Sequence, residues 1–274
     1  SGGRSAREVF AESGSKVLEV FSLSVNPFRV SGRVVPRGGT GFVVADGYIV
    51  TNYHVVADAD QILIFRDGDP FPVDVVGIDP TLDIAVVEAF AFGAEAGIPF
   101  AEADSVAIGQ TAYAIGFPLG VGKSISAGIV SGVSRVLPRT TSSWLSPFLQ
   151  TDAAISPGNS GGPLLDDCGR LIGMITAAIS RTGAENLGFA IPVEVLQPVI
   201  EELIQNGVVE RPWHGLYGQM TSPPILSMLG IPQEQWEMYT GFLVETVEPG
   251  SAADRSGLSG GSWPVMWGGT ESLL

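Results

Sequence analysis

Short hydrophobic runs separated by glycine, proline and acidic turn residues fill most of the chain between residues 39 and 192. One run, GTGFVVA, is followed by Asp46 and Gly47 and then by YIVT, and an Asp-Gly pair between two apolar runs predicts a tight β-hairpin. Further predicted strands span 61–65, 72–79, 84–89, 111–117, 126–134, 169–180 and 186–192. Short strands at this spacing are typical of a mainly β fold, a barrel or sandwich pair.

Two other segments repeat their apolar residues near the 3.6-residue period of an amphipathic helix. The first spans 5–22 and the second spans 193–206. The second is followed by Gly207, a residue type that is common just after a helix C-terminus. Because Pro198 lies early in this segment, a helix start nearer to residue 195 is also open.

The pattern changes again after residues 207–212, GVVERP, which we interpret as a linker. The chain beyond the linker is richer in aromatic residues. We therefore divide the sequence into an N-terminal helical segment (1–24), a mainly β domain (25–211) and a separate C-terminal unit (212–274).

Composition indicates a globular protein and excludes several functional classes. Hydrophobic residues make up 45% of the 274 positions and charged residues 16%, so the chain can bury a core. The formal net charge of −15 opposes binding to nucleic-acid phosphates and to anionic membranes. No stretch reaches the ~18 consecutive apolar residues of a membrane span, and the first residues contain no apolar signal-peptide core.

The single cysteine, Cys168, excludes an intrachain disulfide and a C-x-x-C zinc site. Cys168 lies in the turn DDCGR, and we interpret it as incidental rather than redox-active. The two histidines, His54 and His214, are too far apart in sequence to suggest another metal cluster. We therefore expect neither a bound metal nor a cofactor.

Three motifs supply a histidine, an aspartate and a serine in the chain order of chymotrypsin-type hydrolases. TNYHVV places His54 directly after an apolar strand, DPTLDIAVV places Asp83 before a buried strand, and GNSGGPLL places Ser160 in a glycine-rich bend. Each motif alone is more often structural: a histidine after a strand, a turn aspartate, a loop. Their combination in this order, each beside an apolar run, favours a catalytic triad.

The chemistry needs these residue types. A serine hydroxyl becomes a nucleophile when a base removes its proton, and His54 can do so because imidazole is largely neutral near pH ~7. Asp83 would hold the other ring nitrogen and stabilise the imidazolium. Gly158 has the backbone freedom to aim N–H groups at an oxyanion. We assign the oxyanion hole to the N–H groups of Gly158 and Ser160, with that of Asn159 between them.

The motifs TNYHVV, DIAVV, QTDAAISPGNSGGPLL and LGFAIP together resemble those of the HtrA/Deg serine proteases. The resemblance covers about residues 8–211 and continues more weakly over 213–260. It implies a trypsin-like double β-barrel followed by a PDZ domain, with the triad on the three residues chosen above. The segment 23–38 is short for the regulatory loop of some relatives.

The same resemblance implies an activity and an assembly. Members of the family are ATP-independent endopeptidases that act on unfolded or damaged proteins outside the cytoplasm, in the periplasm or cell envelope. They commonly form homotrimers through N-terminal residues, for which Phe10 and Phe21 are our candidates.

Similarity also gives candidate substrate-binding residues, which could equally be ordinary barrel-core residues. The primary pocket would be lined by uncharged side chains, namely Ala154, Ile155, Leu187, Phe189 and Ala190. A pocket without an acid cannot compensate a lysine or arginine for lost hydration, so we expect cleavage after small or medium aliphatic residues. A further strand is expected to pair with the substrate backbone: Thr176, Ala177, Ala178 and Ile179.

The C-terminal unit resembles the beginning of a PDZ domain. Gly241, Phe242 and Leu243 match the loop that offers backbone N–H groups to a peptide carboxylate, and PGSAADRSGL matches the turn and helix that follow. The sequence SWPVMWGGTESLL departs from the pattern, and the second helix of the groove is not reached. We expect a partial PDZ domain without a complete peptide site, and a structural role for His214.

Three functional hypotheses follow. The first is an active endopeptidase for unfolded proteins, the second a chaperone or scaffold that binds exposed apolar segments, and the third a pseudoprotease adaptor. The complete triad and the glycine bend argue against the third. Casein hydrolysis by the protein and by a Ser160→Ala variant discriminates between the first two.

Overall fold

The computed structural model describes residues 3–28, 30–45, 47–88, 96–135, 147–176 and 187–261, and the backbone of 264–267 and 270–273. The chain separates into two compact units, the first ending at Val209 and the second beginning at Glu210.

The N-terminal segment begins with a short helix, α1 (Ala6–Ser13). Ser5 and Glu8 form a capping box that satisfies the first free N–H groups of the helix. A 3₁₀ turn follows, and strand β1 (Val17–Val25) begins directly after it. The predicted helix over 5–22 is therefore wrong beyond Ser13, because the second half of that segment pairs with two strands of the first barrel.

The first barrel is closed and antiparallel, with the strand order β1-β2-β3-β6-β5-β4. Its other strands are β2 (Val34–Ala45), β3 (Tyr48–Thr51), β4 (Gln61–Arg66), β5 (Asp69–Asp79) and β6 (Ile84–Glu88), with a single helical turn, α2 (Tyr53–Val56), after β3. The predicted hairpin is confirmed, since Val43 pairs with Ile49 and Ala45 with Tyr48. Asp46 lies outside the described residues.

The second barrel is also closed, with the order β10-β11-β12-β9-β8-β7. Its strands are β7 (Thr111–Gly116), β8 (Ser124–Arg135), β9 (Phe148–Thr151), β10 (Pro163–Leu165), β11 (Leu171–Ile175) and β12 (Gly188–Pro192). The mainly β, double-barrel fold predicted from the sequence is confirmed. The predicted strand 169–180 contains β11, and its part beyond Thr176 lies outside the described residues.

Buried hydrophobic residues form a core inside each barrel and a further core between the barrels. Leu18, Val20 and Ile64 belong to the first interior, and Leu164 and Ile172 to the second. The core between the barrels takes side chains from both barrels: Phe42, Val50, Ile84, Ile115, Leu165 and Met174. This shared core fixes the cleft where the loops of the two barrels meet, because close-packed interiors resist relative displacement.

Helix α3 (Val193–Asn206) packs against both barrels. It begins at Val193 rather than nearer to residue 195, and it contains Pro198 within its early turns. Gly207 closes the helix in a left-handed conformation, as the sequence predicts.

The second unit contains two small antiparallel sheets. Strand β13 (Leu216–Met220) pairs with β14 (Phe242–Val247), and β15 (Pro264–Trp267) pairs with β16 (Thr270–Leu273). Between β13 and β14 lies α4 (Pro223–Met228), and after β14 lies the capped turn α5 (Ala252–Arg255). Leu226, Leu229 and Ile231 form a small core on which Trp236 and Leu243 pack. None of the described helices has the length and apolar character needed to cross a membrane.

Candidate active site

His54 lies in the helical turn α2, at the point where the chain leaves strand β3. Three hydrogen bonds hold this turn and the residue before it against Asp83. Tyr53 N donates to Asp83 O at 3.1 Å, and His54 N donates to Asp83 Oδ1 at 2.8 Å. The side-chain amide nitrogen of Asn52, Nδ2, also donates to Asp83 O, at 2.9 Å. The two predicted catalytic residues are therefore fixed to one another by contacts that do not involve the imidazole ring.

Asp83 lies at the end of the turn between β5 and β6, with φ at 61°. Asp tolerates this left-handed conformation better than most residue types. Its Oδ2 lies 2.7 Å from His54 Nδ1, and Thr176 Oγ1 lies 3.5 Å from the same oxygen. A carboxylate only accepts hydrogen bonds, so His54 Nδ1 carries the proton and Nε2 is left as the basic nitrogen. This is the tautomer that a general base for serine requires.

Ser160 lies between β9 and β10 of the second barrel and is 5% exposed. Its carbonyl accepts from Thr40 N of the first barrel at 2.8 Å. The next residue, Gly161, has φ at 83°, and a Cβ there would lie 2.2 Å from Thr40 O and 2.9 Å from Asn52 N. Only glycine allows this approach. Ser160 is therefore held beside the segment that carries His54.

The bend before Ser160 is held by a threonine that the sequence analysis missed. Thr40 Oγ1 donates to Gly158 O at 2.7 Å and accepts from Phe117 N at 3.1 Å. Gly158 has φ at 99°, and a Cβ there would lie 2.3 Å from Phe117 O. The only sequence signal was a lone hydroxyl between the glycines of GGTGF, which we used for the hairpin alone.

Two backbone N–H groups, one in this bend and one beside it, donate to carbonyls within the chain. Asn159 N donates to Ser156 O at 3.0 Å, which closes a turn, so an oxyanion would have to compete with this carbonyl for the Asn159 N–H, and its place in the oxyanion hole stays a prediction. Leu119 N donates to Pro157 O at 2.8 Å, which fixes the peptide that leads into Gly158. Gly158 and Ser160 remain our candidates for the oxyanion hole.

The predicted pocket residues separate into two groups in the structure. Ile155 and Leu187 are half-buried, and a Cβ at Gly188, the residue after Leu187, would lie 2.6 Å from Ile155 Cγ1, so the backbone at Gly188 lies close to Ile155. Phe189 and Ala190 are buried in the barrel cores. Ala154 is exposed, with its carbonyl bonded to Ser126 Oγ at 2.9 Å.

Thr176 is buried, and its N–H donates to Phe189 O at 3.0 Å, which ties it to β12. The other members of the predicted substrate-pairing strand, Ala177, Ala178 and Ile179, lie outside the described residues.

One cluster of possible metal ligands brings together Asp166, Asp167 and Cys168. The Asp166 carboxylate accepts from Cys168 N and Arg170 N at 2.8 Å, and it pairs with the Arg170 guanidinium, whose pKa is raised by this contact. The cluster therefore closes the turn between β10 and β11. Cys168 is exposed in that turn.

Two closed barrels with a histidine–aspartate pair and a serine bend at their junction define a trypsin-like serine peptidase scaffold. Residues 39–174 match the trypsin-like peptidase domain. The chain is 38% identical over 226 residues to a DegP-like periplasmic serine endoprotease of Halomonas elongata and 40% identical over 236 residues to one of Chlamydia trachomatis. These alignments cover 81% and 85% of this chain and 46% of each relative.

A solved structure of the HtrA-type protease AlgW with a tripeptide is 32% identical. It superposes with a TM-score of 0.74, over 97% of this chain and 84% of that one. The chain belongs to the HtrA/DegP-type serine endoproteases. It spans just under half the length of the curated relatives that it matches.

Proposed function

We propose that the chain is an active, ATP-independent serine endopeptidase that cleaves unfolded or damaged proteins through an acyl-enzyme. The observation that carries the proposal is the 2.7 Å contact between His54 Nδ1 and Asp83 Oδ2, made in the loop against which the Ser160 bend packs. An unreactive scaffold would have no need of this tautomer or of a glycine-dependent approach between the two barrels.

The proposed catalytic steps give these three residues the roles that they have in other serine hydrolases. Ser160 Oγ attacks the scissile carbonyl while His54 Nε2 takes its proton, and Asp83 stabilises the resulting imidazolium. The N–H groups of Gly158 and Ser160 stabilise the oxyanion. His54 then gives the proton to the leaving amine, and a water molecule, activated by the same nitrogen, releases the acyl group.

The primary specificity is proposed from the residues on the acyl side. Ile155 and Leu187 are uncharged and half-buried, and the approach of Gly188 to Ile155 limits the space available. A small or medium aliphatic side chain such as valine, isoleucine, leucine or alanine fits this chemistry, whereas a lysine or arginine would lose its hydration without compensation.

The proposed setting and assembly rest on the relatives. The names of the two curated relatives describe periplasmic proteins, and we propose an extracytoplasmic site for this chain as well. We also propose a homotrimer. Phe10 packs against the core between its own barrels and Phe21 makes an edge-to-face contact with Phe65, 6.3 Å between centroids, so both candidates have partners within the subunit.

We further propose that residues 212–274 form a partial PDZ-type unit with its carboxylate loop at Gly241, Phe242 and Leu243. The pairing of β13 with β14 and the capped turn after β14 support this assignment. Gly241 N donates to Thr221 Oγ1 at 2.9 Å, so this N–H is already used within the unit. A peptide carboxylate would have to displace the threonine to reach it.

Hydrolysis of casein tests the proposal. The wild-type protein is expected to degrade casein, and Ser160→Ala is expected to lose activity by about 10⁴-fold or more. Ser105→Ala is the matched control, since Ser105 lies in an exposed turn where its hydroxyl bonds Glu102 O at 2.6 Å. If wild type binds casein without degrading it, the chaperone or scaffold alternative replaces the protease.

A further inference from the structure

A cavity of about 310 Å³ opens beside the oxyanion bend, between the first barrel and the turn after β7. Among the described residues, its walls include Glu19 and Phe21 on β1, Gly38 and Gly39 on β2, and Leu119 and Gly158. Its volume is at the lower end of the range of protein ligand pockets. The residues that we propose for the acyl side, Ile155 and Leu187, are not among its lining.

The cavity begins next to the nucleophile. Gly158 is shared between the cavity wall and the candidate oxyanion hole, and a Cβ at Gly39 would lie 3.2 Å from Ser160 O. A substrate that places its acyl side chain near Ile155 must continue past the nucleophile in the other direction. The cavity therefore lies where the leaving half of the substrate would pass.

Glu19 is the one ionisable side chain among the described residues that line the cavity. It lies on β1, where Leu18 and Val20 point into the first barrel and Glu19 and Phe21 face the other side, following the two-residue period of a strand. A Cβ at Gly120 would lie 3.7 Å from Glu19 Oε1, which places the carboxylate beside the turn after β7.

The carboxylate of Glu19 has no hydrogen-bond donor or ion-pair partner within the described part of the chain. Burial raises its pKa, so the ionised form loses hydration that no partner replaces. Lys123 lies over the Phe117 ring, 5.6 Å from its centroid, and its Nζ donates to Gly14 O. That cation is therefore directed to other groups and leaves the cavity with an uncompensated acid.

We propose that this cavity is a subsite for the leaving half of the substrate, and that Glu19 selects a lysine or arginine at the first or second position after the scissile bond. The inference deepens the proposed protease function and rests on it. A cationic side chain would supply the partner that the carboxylate lacks, while its methylene groups pack on Phe21 and Leu119.

Fluorogenic peptides with one fixed acyl half test the subsite. Lysine, alanine or glutamate is placed in turn at the first and at the second position after the cleaved bond. For the wild-type enzyme we expect kcat/KM for the best lysine peptide to exceed that of its alanine counterpart by about five- to tenfold, since the charged pair is partly shielded from water. The glutamate peptide should fall below alanine.

Four variants separate the subsite from other causes. Glu19→Gln should reduce the lysine-to-alanine ratio to below about two, and Glu19→Lys should invert it. Glu201→Gln removes the same charge from an exposed position of α3 and should keep the wild-type ratio. Gly38→Leu introduces a side chain where a Cβ meets no atom within 4 Å, so it should fill the cavity and penalise lysine more than alanine.

A lysine preference that persists in Glu19→Gln, or a wild-type ratio near one, would overturn the subsite while leaving the protease function intact. If none of the peptides is cleaved, the protease proposal fails separately. In that case the dissociation constants of the lysine and alanine peptides for Ser160→Ala, measured by fluorescence anisotropy, are compared with those for a variant that also carries Glu19→Gln. Equal constants would overturn the subsite, and a lysine advantage that depends on Glu19 would support it.

Discussion

Replacing Thr40 by valine tests what holds the oxyanion bend in place. Thr40 is fully buried, and its hydroxyl bonds both Gly158 O at 2.7 Å and Phe117 N at 3.1 Å. Valine has nearly the same shape but neither a donor nor an acceptor, so packing is preserved and two hydrogen bonds are lost. The backbone bond from Thr40 N to Ser160 O is kept.

The two lost hydrogen bonds set the expected loss of stability and of activity. Each buried polar group left without a partner costs about 1–3 kcal/mol, and the bend can relax, so we expect the free energy of unfolding to fall by about 2–4 kcal/mol. One oxyanion donor is worth about 2.7–4 kcal/mol of barrier. If the Gly158 peptide loses part of its orientation, kcat should fall about 10- to 100-fold while KM changes by less than about threefold, because the oxyanion exists only beyond the ground state.

The assay combines steady-state hydrolysis of a fluorogenic peptide with thermal unfolding, at a temperature where the variant is folded. Thr40→Ser is the matched control, since serine keeps the hydroxyl and should recover most of kcat. A Thr40→Val enzyme with wild-type kcat, or one in which KM alone rises, would refute the role of Thr40 in positioning the oxyanion bend.

Three further predictions concern a glycine contact, the burial of Glu19 and the primary specificity. Gly161→Ala should destabilise the fold by more than about 3 kcal/mol in thermal unfolding, because its Cβ would lie 2.2 Å from Thr40 O. Gly109→Ala is the control: φ is positive there too, at 90°, but no atom lies within 4 Å of the added Cβ, so it should cost only the ~1–2 kcal/mol of a left-handed backbone. Burial raises the pKa of Glu19, so the native state binds its proton more tightly than the unfolded state does, and stability is lost as pH rises above about 4.5. Glu19→Gln should therefore be more stable than wild type at pH 7 and equal to it below about pH 4. A stability difference between the two proteins that does not change with pH would contradict this. Peptide-library profiling should find cleavage after valine, isoleucine, leucine or alanine, and cleavage mainly after basic residues would show that an acid reaches the primary pocket.

Most strands of the two barrels and helix α3 could be predicted because their patterns are local. The two-residue alternation of buried strands and the glycine after α3 depend on neighbouring residues alone. Strand β1 was misassigned because Val17 and Phe21 are four residues apart, a spacing that fits one face of a helix and, being even, also one face of a strand. Only pairing with β2 and β4 decides between the two.

The candidate triad could be located because its residue types and chain order are set by the chemistry. The groups that orient it could not. Thr40 and Gly158 are 118 positions apart, and nothing in the sequence around Thr40 indicates that its hydroxyl reaches that carbonyl. The same is true of Glu19, whose half-buried place in a cavity depends on Gly120 and Pro157 of the other barrel. Strands β9 and β10 were missed because their four and three residues are too few for a periodic signal.

The central claim is that Ser160 is a nucleophile activated by His54 and Asp83. Labelling with a fluorophosphonate, followed by mass spectrometry of the modified peptide, tests it most directly, since the reagent forms a covalent bond only with an activated serine. We expect a single adduct on Ser160, with labelling abolished in Ser160→Ala and strongly slowed in His54→Ala. An adduct on another serine, or a wild-type labelling rate in His54→Ala, would contradict the assignment of Ser160, His54 and Asp83 as a catalytic triad.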